Sequence, residues 1–457
     1  PPLPPWRHWL AVLALALGAR AVLFASRYRM YLEMNTLGGT GLNAFGGSDV
    51  LGYLAMARHL AADLAFSSWL GGPRPPLFPL TVAAVYRLGG GDLIALALQA
   101  AFGALTALAG YLLAYRLFTR ATALTHPARC ALIAGVVMAL DPASVSASVT
   151  LMAEPLFNLF FTACILFLAL FVQTRRGLHL GLAALAMAGA MFSRPTAIYF
   201  WLAAPLIMVP FFKRWWRPAL ALAAVGLTVY LGWSVRNLRH LGLFTYSTQT
   251  NFTLLFLRGL SAEHLATGAP VDELHGGYGR ELYLRVGNEE AAAAAEPWQF
   301  WNFHVPESPE VYAAMGVLAR QKLLQYWPHA LLGTGLALWR MFSLTDALPA
   351  WFSPVELAYH VLLYGGALFG AWQAYRQKAW QVLLVSGIPI LYVTGLTLAS
   401  QVSAMDTRMR SPMSAPIIVL GTYGLALATE RWQERRWASR ATRPTSSRRS
   451  WRRSPRR

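Results

Sequence analysis

Asp49 and Glu154 are two carboxylates set at the edges of long apolar runs. Asp49 follows Gly46-Gly47-Ser48 in the first polar loop, and Glu154 opens the apolar run Pro155–Val172. A carboxylate at a membrane edge is costly unless it is paired, solvated or used. Arginines stand at other segment ends, at Arg74, Arg194, Arg236, Arg408 and Arg410. A carboxylate can draw a proton from a hydroxyl, and a guanidinium grips phosphate through paired hydrogen bonds. Together these side chains suggest a polar reaction centre at one face of a membrane protein. Each also has a plainer role. Ser48 and Asp49 could cap a helix over 50–66, Glu154 could sit on a helix dipole, and the arginines could snorkel to headgroups. Asp141, before Pro142, reads as a turn residue, and His59 as a surface residue.

The elements that must position these groups are membrane helices. The chain has 457 residues, of which 56% are apolar and 13% charged, with a mean hydropathy of +0.41. Soluble domains carry roughly 25% charged residues. That deficit, with repeated apolar runs, argues for an all-α polytopic membrane protein. Apolar segments fall near 9–25, 93–118, 130–148, 155–172, 178–193, 196–212, 218–235, 327–343, 355–373, 380–399 and 412–430, with a short one at 75–88. They predict about 10–12 crossings. Ser26-Arg27-Tyr28-Arg29 follows the first run instead of a small-residue cleavage site, so a retained first helix is expected.

Positive charge orients the ladder. Arg116, Arg120 and Arg129 surround one loop, Arg175 and Arg176 mark a second, and Lys213, Arg214 and Arg217 a third. These loops should be cytoplasmic, which places 26–74, 141–154, 193–196 and 236–326 on the opposite, periplasmic face of a bacterial inner membrane. Arg376, Lys378 and the tail also want to be cytoplasmic, which requires that 327–343 lie at the interface or that one boundary differ. The tail, 431–457, holds eleven Arg against one Glu. It suits anionic headgroups better than nucleic acid, because no binding fold accompanies it. The expected organisation is an N-terminal membrane module over 1–235, which includes the 26–74 loop with an amphipathic helix over 50–66. A cap domain over 236–326, further helices over 327–430 and the basic tail follow.

Several pieces, in order, resemble the GT-C superfamily of membrane glycosyltransferases. The similarity is to bacterial relatives of protein O-mannosyltransferases and lipid A aminoarabinose transferases, the family 39-like group. The pieces are Ser48-Asp49-Val50-Leu51-Gly52-Tyr53-Leu54-Ala55, Arg74-Pro75-Pro76-Leu77-Phe78-Pro79-Leu80, Asp141-Pro142, Met152-Ala153-Glu154-Pro155-Leu156-Phe157, and Ser193-Arg194-Pro195-Thr196-Ala197. Gly232-Trp233-Ser234-Val235-Arg236-Asn237, Tyr246-Ser247-Thr248 and Arg408-Met409-Arg410-Ser411-Pro412 complete the set. Related enzymes often carry a second acid beside the first-loop Asp; here the neighbours are Ser48 and Val50, so Glu154 is expected to share the work of Asp49.

The resemblance implies transfer of a sugar from a polyprenyl-phosphate donor to a lipid, glycan or protein acceptor, with inversion. Asp49 would be the base and Glu154 its companion. Arg74, Arg194, Arg236, Arg408 and Arg410 would hold the donor phosphate, and Tyr53, His59 and Asn237 would touch substrate. No cofactor is firmly implied; Asp49 and Glu154 are the pair open to a divalent metal, a thin site. His264, His275 and His304 are too scattered to form one by spacing. Trp298 and Trp301 could stack on sugar. Cys130 and Cys164 lie in apolar segments and read as small core residues. No P-loop, dinucleotide fingerprint or His-Glu-x-x-His is present, so a cytosolic nucleotide donor has no support. A transporter or lipid flippase is the alternative. It calls for ionisable residues deep in the helices, whereas here they concentrate at segment ends.

Overall fold

The computed structural model describes residues 4–36, 49–63, 74–294, 308–344, 350–400 and 407–441, and within these not the side chains of 49, 350, 400, 407, 408 and 434–441. All regular structure in the described residues is helical. In chain order the α-helices are α1 (Trp6–Thr36), α2 (Asp49–Asp63), α3 (Leu77–Arg87), α4 (Asp92–Phe118), α5 (Pro127–Leu140), α6 (Pro142–Ser148) and α7 (Glu154–Thr174). Next come α8 (Gly177–Ser193), α9 (Phe200–Ala203), α10 (Trp216–Leu241), α11 (Gln249–Phe252), α12 (Leu260–Thr267), α13 (Val271–Arg285) and α14 (Glu289–Ala293). The last are α15 (Pro309–Gln325), α16 (Trp327–Met341), α17 (Ser353–Arg376), α18 (Trp380–Ser400) and α19 (Ser414–Ala441).

Six described helices are long and apolar enough to cross a membrane, and the bent pair α5–α6 brings the number to as many as seven. The protein is a multi-pass membrane protein. Proline sets much of the local geometry. Pro142 stops α5 and opens α6 at an angle of 49°, because a proline lacks the N–H that would continue the ladder. The run expected as one segment over 196–212 is instead a chain of short turns and 3₁₀ pieces across 195–211. Pro195, Pro205 and Pro210 break it at each step.

Hydrogen bonds sort the helix ends into two groups. At one end, Gln173 donates to the Arg116 carbonyl at 3.0 Å and to Gln381 at 3.4 Å. Arg175 donates to the Phe211 carbonyl, the Thr125 N–H to Glu430, and Arg431 to Gln373. This end holds the basic loops. At the other end Asp141 meets Tyr359 and Ser414, and Arg194 meets Glu154. The long apolar helices of the bundle run between the two.

Two apolar pieces do not make that journey. The 11 residues of α3 rise about 16 Å at 1.5 Å per residue, against a hydrocarbon core of about 30 Å. The 15 residues of α16 rise about 22 Å. Both ends of α16 stay near the second group: Tyr326, just before it, bonds Glu263, and the Ser343 carbonyl, just after it, accepts from Arg410. With α16 lying across this end, Arg376, Lys378 and the start of the tail fall with the other basic loops, as the charge pattern requires.

The amphipathic α2 buries Val50, Tyr53, Leu54 and Ala57 against Phe78 and Val82 of α3 and against Val149–Ala153. Between α10 and α16, where the sequence places a cap over 236–326, the described residues gather a core of their own from Phe252, Leu255, Phe256, Tyr278, Leu282, Met315 and Leu318. A seven-residue π-helical stretch, Thr253–Gly259, turns its entry. Inside the cap, Glu263 takes a hydrogen bond from Tyr278 and pairs with Lys322 at 2.8 Å. Burial first, and then that carboxylate, hold the Tyr278 hydroxyl well above its usual range.

Helices α17 and α19 pack backbone to backbone. A Cβ on Gly370 would lie 2.1 Å from the Leu420 carbonyl oxygen, whereas one on Gly365 would meet nothing within 4 Å. Small residues let membrane helices approach this closely. Gly370→Val is expected to destabilise the protein by about 1–3 kcal/mol, while Gly365→Ala leaves it unchanged or slightly more stable. Thermal midpoints of the two purified variants in detergent check the contrast.

Candidate active site

The site begins where three chain breaks meet. Glu154 is the first residue of α7, so its carboxylate lies at the positive end of that helix, where charge is stabilised. Arg194 caps α8 in extended conformation, φ −147° and ψ 145°. Helix α8 stops there because a residue before proline is excluded from the α region. Arg74 precedes Pro75-Pro76 and lies 4.2 Å from the centre of the Tyr53 ring, the geometry of a cation–π contact. Arg194 Nη1 meets Glu154 Oε1 at 2.5 Å, with the two side chains 17% and 3% exposed. Its Nη2 faces Met409 Sδ at 3.9 Å.

These groups line one cavity of about 380 Å³. Tyr53, Arg74, Glu154, Arg194 and Met409 form its bundle side, with Leu396, Thr397 and Ala399 from the end of α18. Tyr199 and Tyr230 flank it, and Thr245, Ser247, Gln249, Thr250 and Thr253 supply polar groups from the cap side. Tyr246 stacks on Tyr230 at 6.0 Å between centroids, and burial pushes its hydroxyl well above the usual tyrosine range. That hydroxyl is buried with no hydrogen-bond partner among the described residues.

Of the residues singled out in the sequence, Tyr53, Arg74, Glu154 and Arg194 therefore share one wall. Asp49 opens α2 one turn before Tyr53; its side chain, that of Arg408, and Trp298, Trp301 and His304 lie outside the described residues. Asn237 stands behind the wall, donating to the Thr245 carbonyl at 2.8 Å and accepting from Arg236 at 2.9 Å. Arg236 itself lies 5.0 Å from the Trp233 ring and is not in the cavity wall. His59 is half-buried on α2 and also stands off the wall. Arg410 points into the bundle at 2% exposure. There it donates to the Tyr364 hydroxyl and to the Ser343 carbonyl, and meets His360 Nε2 at 3.0 Å. Among the described residues no group of three His, Cys, Asp or Glu side chains gathers as a metal would need.

Sequence reasoning passed over several residues that matter here. Asp141 is more than a turn residue: it caps α6 through the Ser144 N–H and accepts from Tyr359 at 2.8 Å and Ser414 at 2.7 Å. Arg20 and Arg27 reach from α1 to Ser144 and Ser146. Their signal was available, because two arginines in or beside an apolar run need partners. Arg258, on the π-helical stretch, ties the cap to the bundle through the Leu398 carbonyl and Thr334. Tyr199 and Tyr230 carried no signal beyond the general abundance of aromatics.

No protein-family model and no curated protein matches the chain. Among solved structures it is similar to two crystal structures of ArnT from Cupriavidus metallidurans. For the one bound to undecaprenyl phosphate, the match covers 92% of this chain and 79% of that one, at 18% identity and a TM-score of 0.37. For the apo state the figures are 84% and 73%, again 18% identity, and a TM-score of 0.35.

Glu154→Gln leaves Arg194 without its counter-charge and is expected to destabilise the protein by about 3 kcal/mol. Adding Arg194→Gln should restore most of that loss, since a removed pair is cheaper than a broken one. Thermal unfolding in detergent measures both. Tyr246→Phe removes a buried hydroxyl that has no partner among the described residues and is expected to leave the thermal midpoint unchanged or raised; a clear fall would mean the hydroxyl is bonded in the working protein.

Proposed function

We propose that this chain is an integral-membrane glycosyltransferase that moves a sugar from a polyprenyl-phosphate donor to a hydroxyl acceptor. The observation that carries the reading is the convergence of Arg74, Arg194 and Glu154 on one cavity at the membrane-bundle end, facing a cap rich in hydroxyls. A phosphate leaving group needs fixed positive charge in a site of low dielectric, and the two guanidiniums supply it. The 380 Å³ volume has room for a sugar and a small acceptor group.

In this reading the acceptor hydroxyl loses its proton to Asp49. Residue 49 opens α2, one turn before Tyr53. The acceptor oxygen attacks the anomeric carbon in line with the departing phosphate, and configuration inverts. The bond between the anomeric carbon and the phosphate oxygen breaks, its electron pair stays on that oxygen, and polyprenyl phosphate leaves against Arg74 and Arg194. Glu154, committed to Arg194, holds the guanidinium in place. The active face is the periplasmic one and the tail is cytoplasmic, because the basic loops gather at the opposite end of the bundle. A divalent ion shared by Asp49 and Glu154 belongs to this proposal only if a chelator abolishes transfer.

The transporter alternative has one feature in its favour, the interior set of Asp141, Glu356, His360 and Arg410. All four are buried at 3% exposure or less. Asp141 and Arg410 are already bonded to neighbouring side chains, which favours a structural role.

A strain lacking the protein is expected to accumulate a polyprenyl-phosphate sugar and to lose one glycosylated product, both read by mass spectrometry. In a transfer assay with that lipid, Asp49→Asn should lower turnover by at least about 100-fold with donor binding intact. Full activity of that variant would remove Asp49 as the base. Unchanged glycans together with lost movement of a labelled lipid across the membrane would select the transporter.

A further inference from the structure

We propose that Asn158 is a positioning residue for the Arg194 guanidinium, acting through residues 407–413. The inference rests on the phosphate role given to Arg194 above. Glu154 fixes Nη1 of that guanidinium at 2.5 Å, and Met409 Sδ lies 3.9 Å from Nη2. A thioether is a weak acceptor, so it locates the Nη2 edge and competes only weakly for the hydrogen bonds of that edge. That edge is the one a phosphate oxygen would take.

The place of the sulfur is set two residues further on, where Asn158 Nδ2 donates to Ser411 Oγ at 2.9 Å. Asn158 stands one turn after Glu154, on the same face of α7. A single helix face therefore carries the carboxylate that grips Nη1 and the amide that fixes the segment lying against Nη2. Glu154 and Asn158 are both buried, at 2% and 4% exposure. The rest of the 407–413 segment is tied elsewhere: Arg410 to His360 and Tyr364 on α17, and Ser414, just after it, to Asp141. Those bonds hold the segment to α17 and the α5–α6 corner, whereas the Asn158–Ser411 bond refers it to the helix that bears Glu154.

The test is binding of undecaprenyl phosphate to the full chain in nanodiscs, comparing wild type, Arg194→Lys, Asn158→Leu, Ser411→Ala and the Asn158→Leu/Ser411→Ala double variant. Ser411→Ala removes only a hydroxyl and carries the test if the leucine variant fails to fold. Each single loss of the tie is expected to weaken binding about fivefold, the scale of one neutral hydrogen bond. The double variant should bind no more weakly than the weaker single, because both changes cut the same tie. The rate at which phenylglyoxal modifies Arg194, read by peptide mass spectrometry, should change in all three variants while the thermal midpoint moves little. A purely structural role would lower the midpoint and leave that rate alone. Wild-type binding in Asn158→Leu and Ser411→Ala, with Arg194→Lys weakened, would overturn the inference and spare the functional reading. Wild-type protein or Arg194→Lys behaving as if Arg194 met no phosphate would overturn both.

Discussion

The pairing of Glu154 with Arg194 is the constraint around which this end of the molecule is arranged. Two opposite charges brought out of water lose several kcal/mol of hydration each, and their attraction offsets this only when the geometry is close. The sequence supplies that geometry through helix ends. Helix α7 begins at Glu154, so its dipole favours the carboxylate, and Pro195 halts α8 at Arg194, so the guanidinium leaves the helix axis toward α7. The 407–413 segment then closes the third side with Met409. One edge of Arg194 borders the cavity, which keeps part of its hydration within reach.

A second set of buried polar groups makes the first one rigid. Asp141 joins α6, α17 and α19 by accepting from the Ser144 N–H, Tyr359 and Ser414. Arg410 adds Tyr364, His360 and the Ser343 carbonyl. In an apolar bundle, packing alone allows helices to slide; a bonded polar group with no water to replace its partner fixes register. The close approach of α17 and α19 at their glycines serves the same end, since it brings Tyr359, His360 and Tyr364 within reach of residues next to α19.

Much of this was legible in the sequence, and what was not has definite causes. Charges are rare in an apolar chain, so Arg74, Glu154 and Arg194 stood out, and neighbouring prolines marked them as helix ends. Arg236 and Arg410 looked equivalent to Arg194 because sequence spacing does not say which way a side chain leaves its helix. Arg236 lies over Trp233, and the partners of Arg410 come from a helix about fifty residues earlier. Hydropathy counted 196–212 as one segment because prolines hardly change the average, although they break the ladder. It also listed 327–343 among the apolar segments, and only the charge pattern hinted that this one lies at the interface. Composition cannot report that α16 is held at both ends by groups on the same side of the bundle. The polar insertion over 236–326 was legible, but the core of Phe252, Phe256, Tyr278 and Leu282 within it has no periodicity long enough to announce it.

The two sides of the cavity differ in kind, and the difference bears on how an amphiphilic substrate would sit. The bundle side contributes the charged groups Arg74, Arg194 and Glu154, whereas the cap side contributes Thr245, Ser247, Gln249, Thr250 and Thr253. On the proposed reading, a polyprenyl-phosphate sugar presents three chemistries in order: an apolar tail, a charged phosphate and a neutral, hydroxyl-rich ring. The tail belongs in the bilayer, which brings the phosphate to the arginines at the bundle end and the ring to the neutral donors and acceptors of the cap. Orientation would then follow from matching polarity along a single axis, and the anomeric carbon would fall between Arg194 and the cap. Charge on both sides would give the donor two competing registers. A wall that is ionic below and neutral above leaves one.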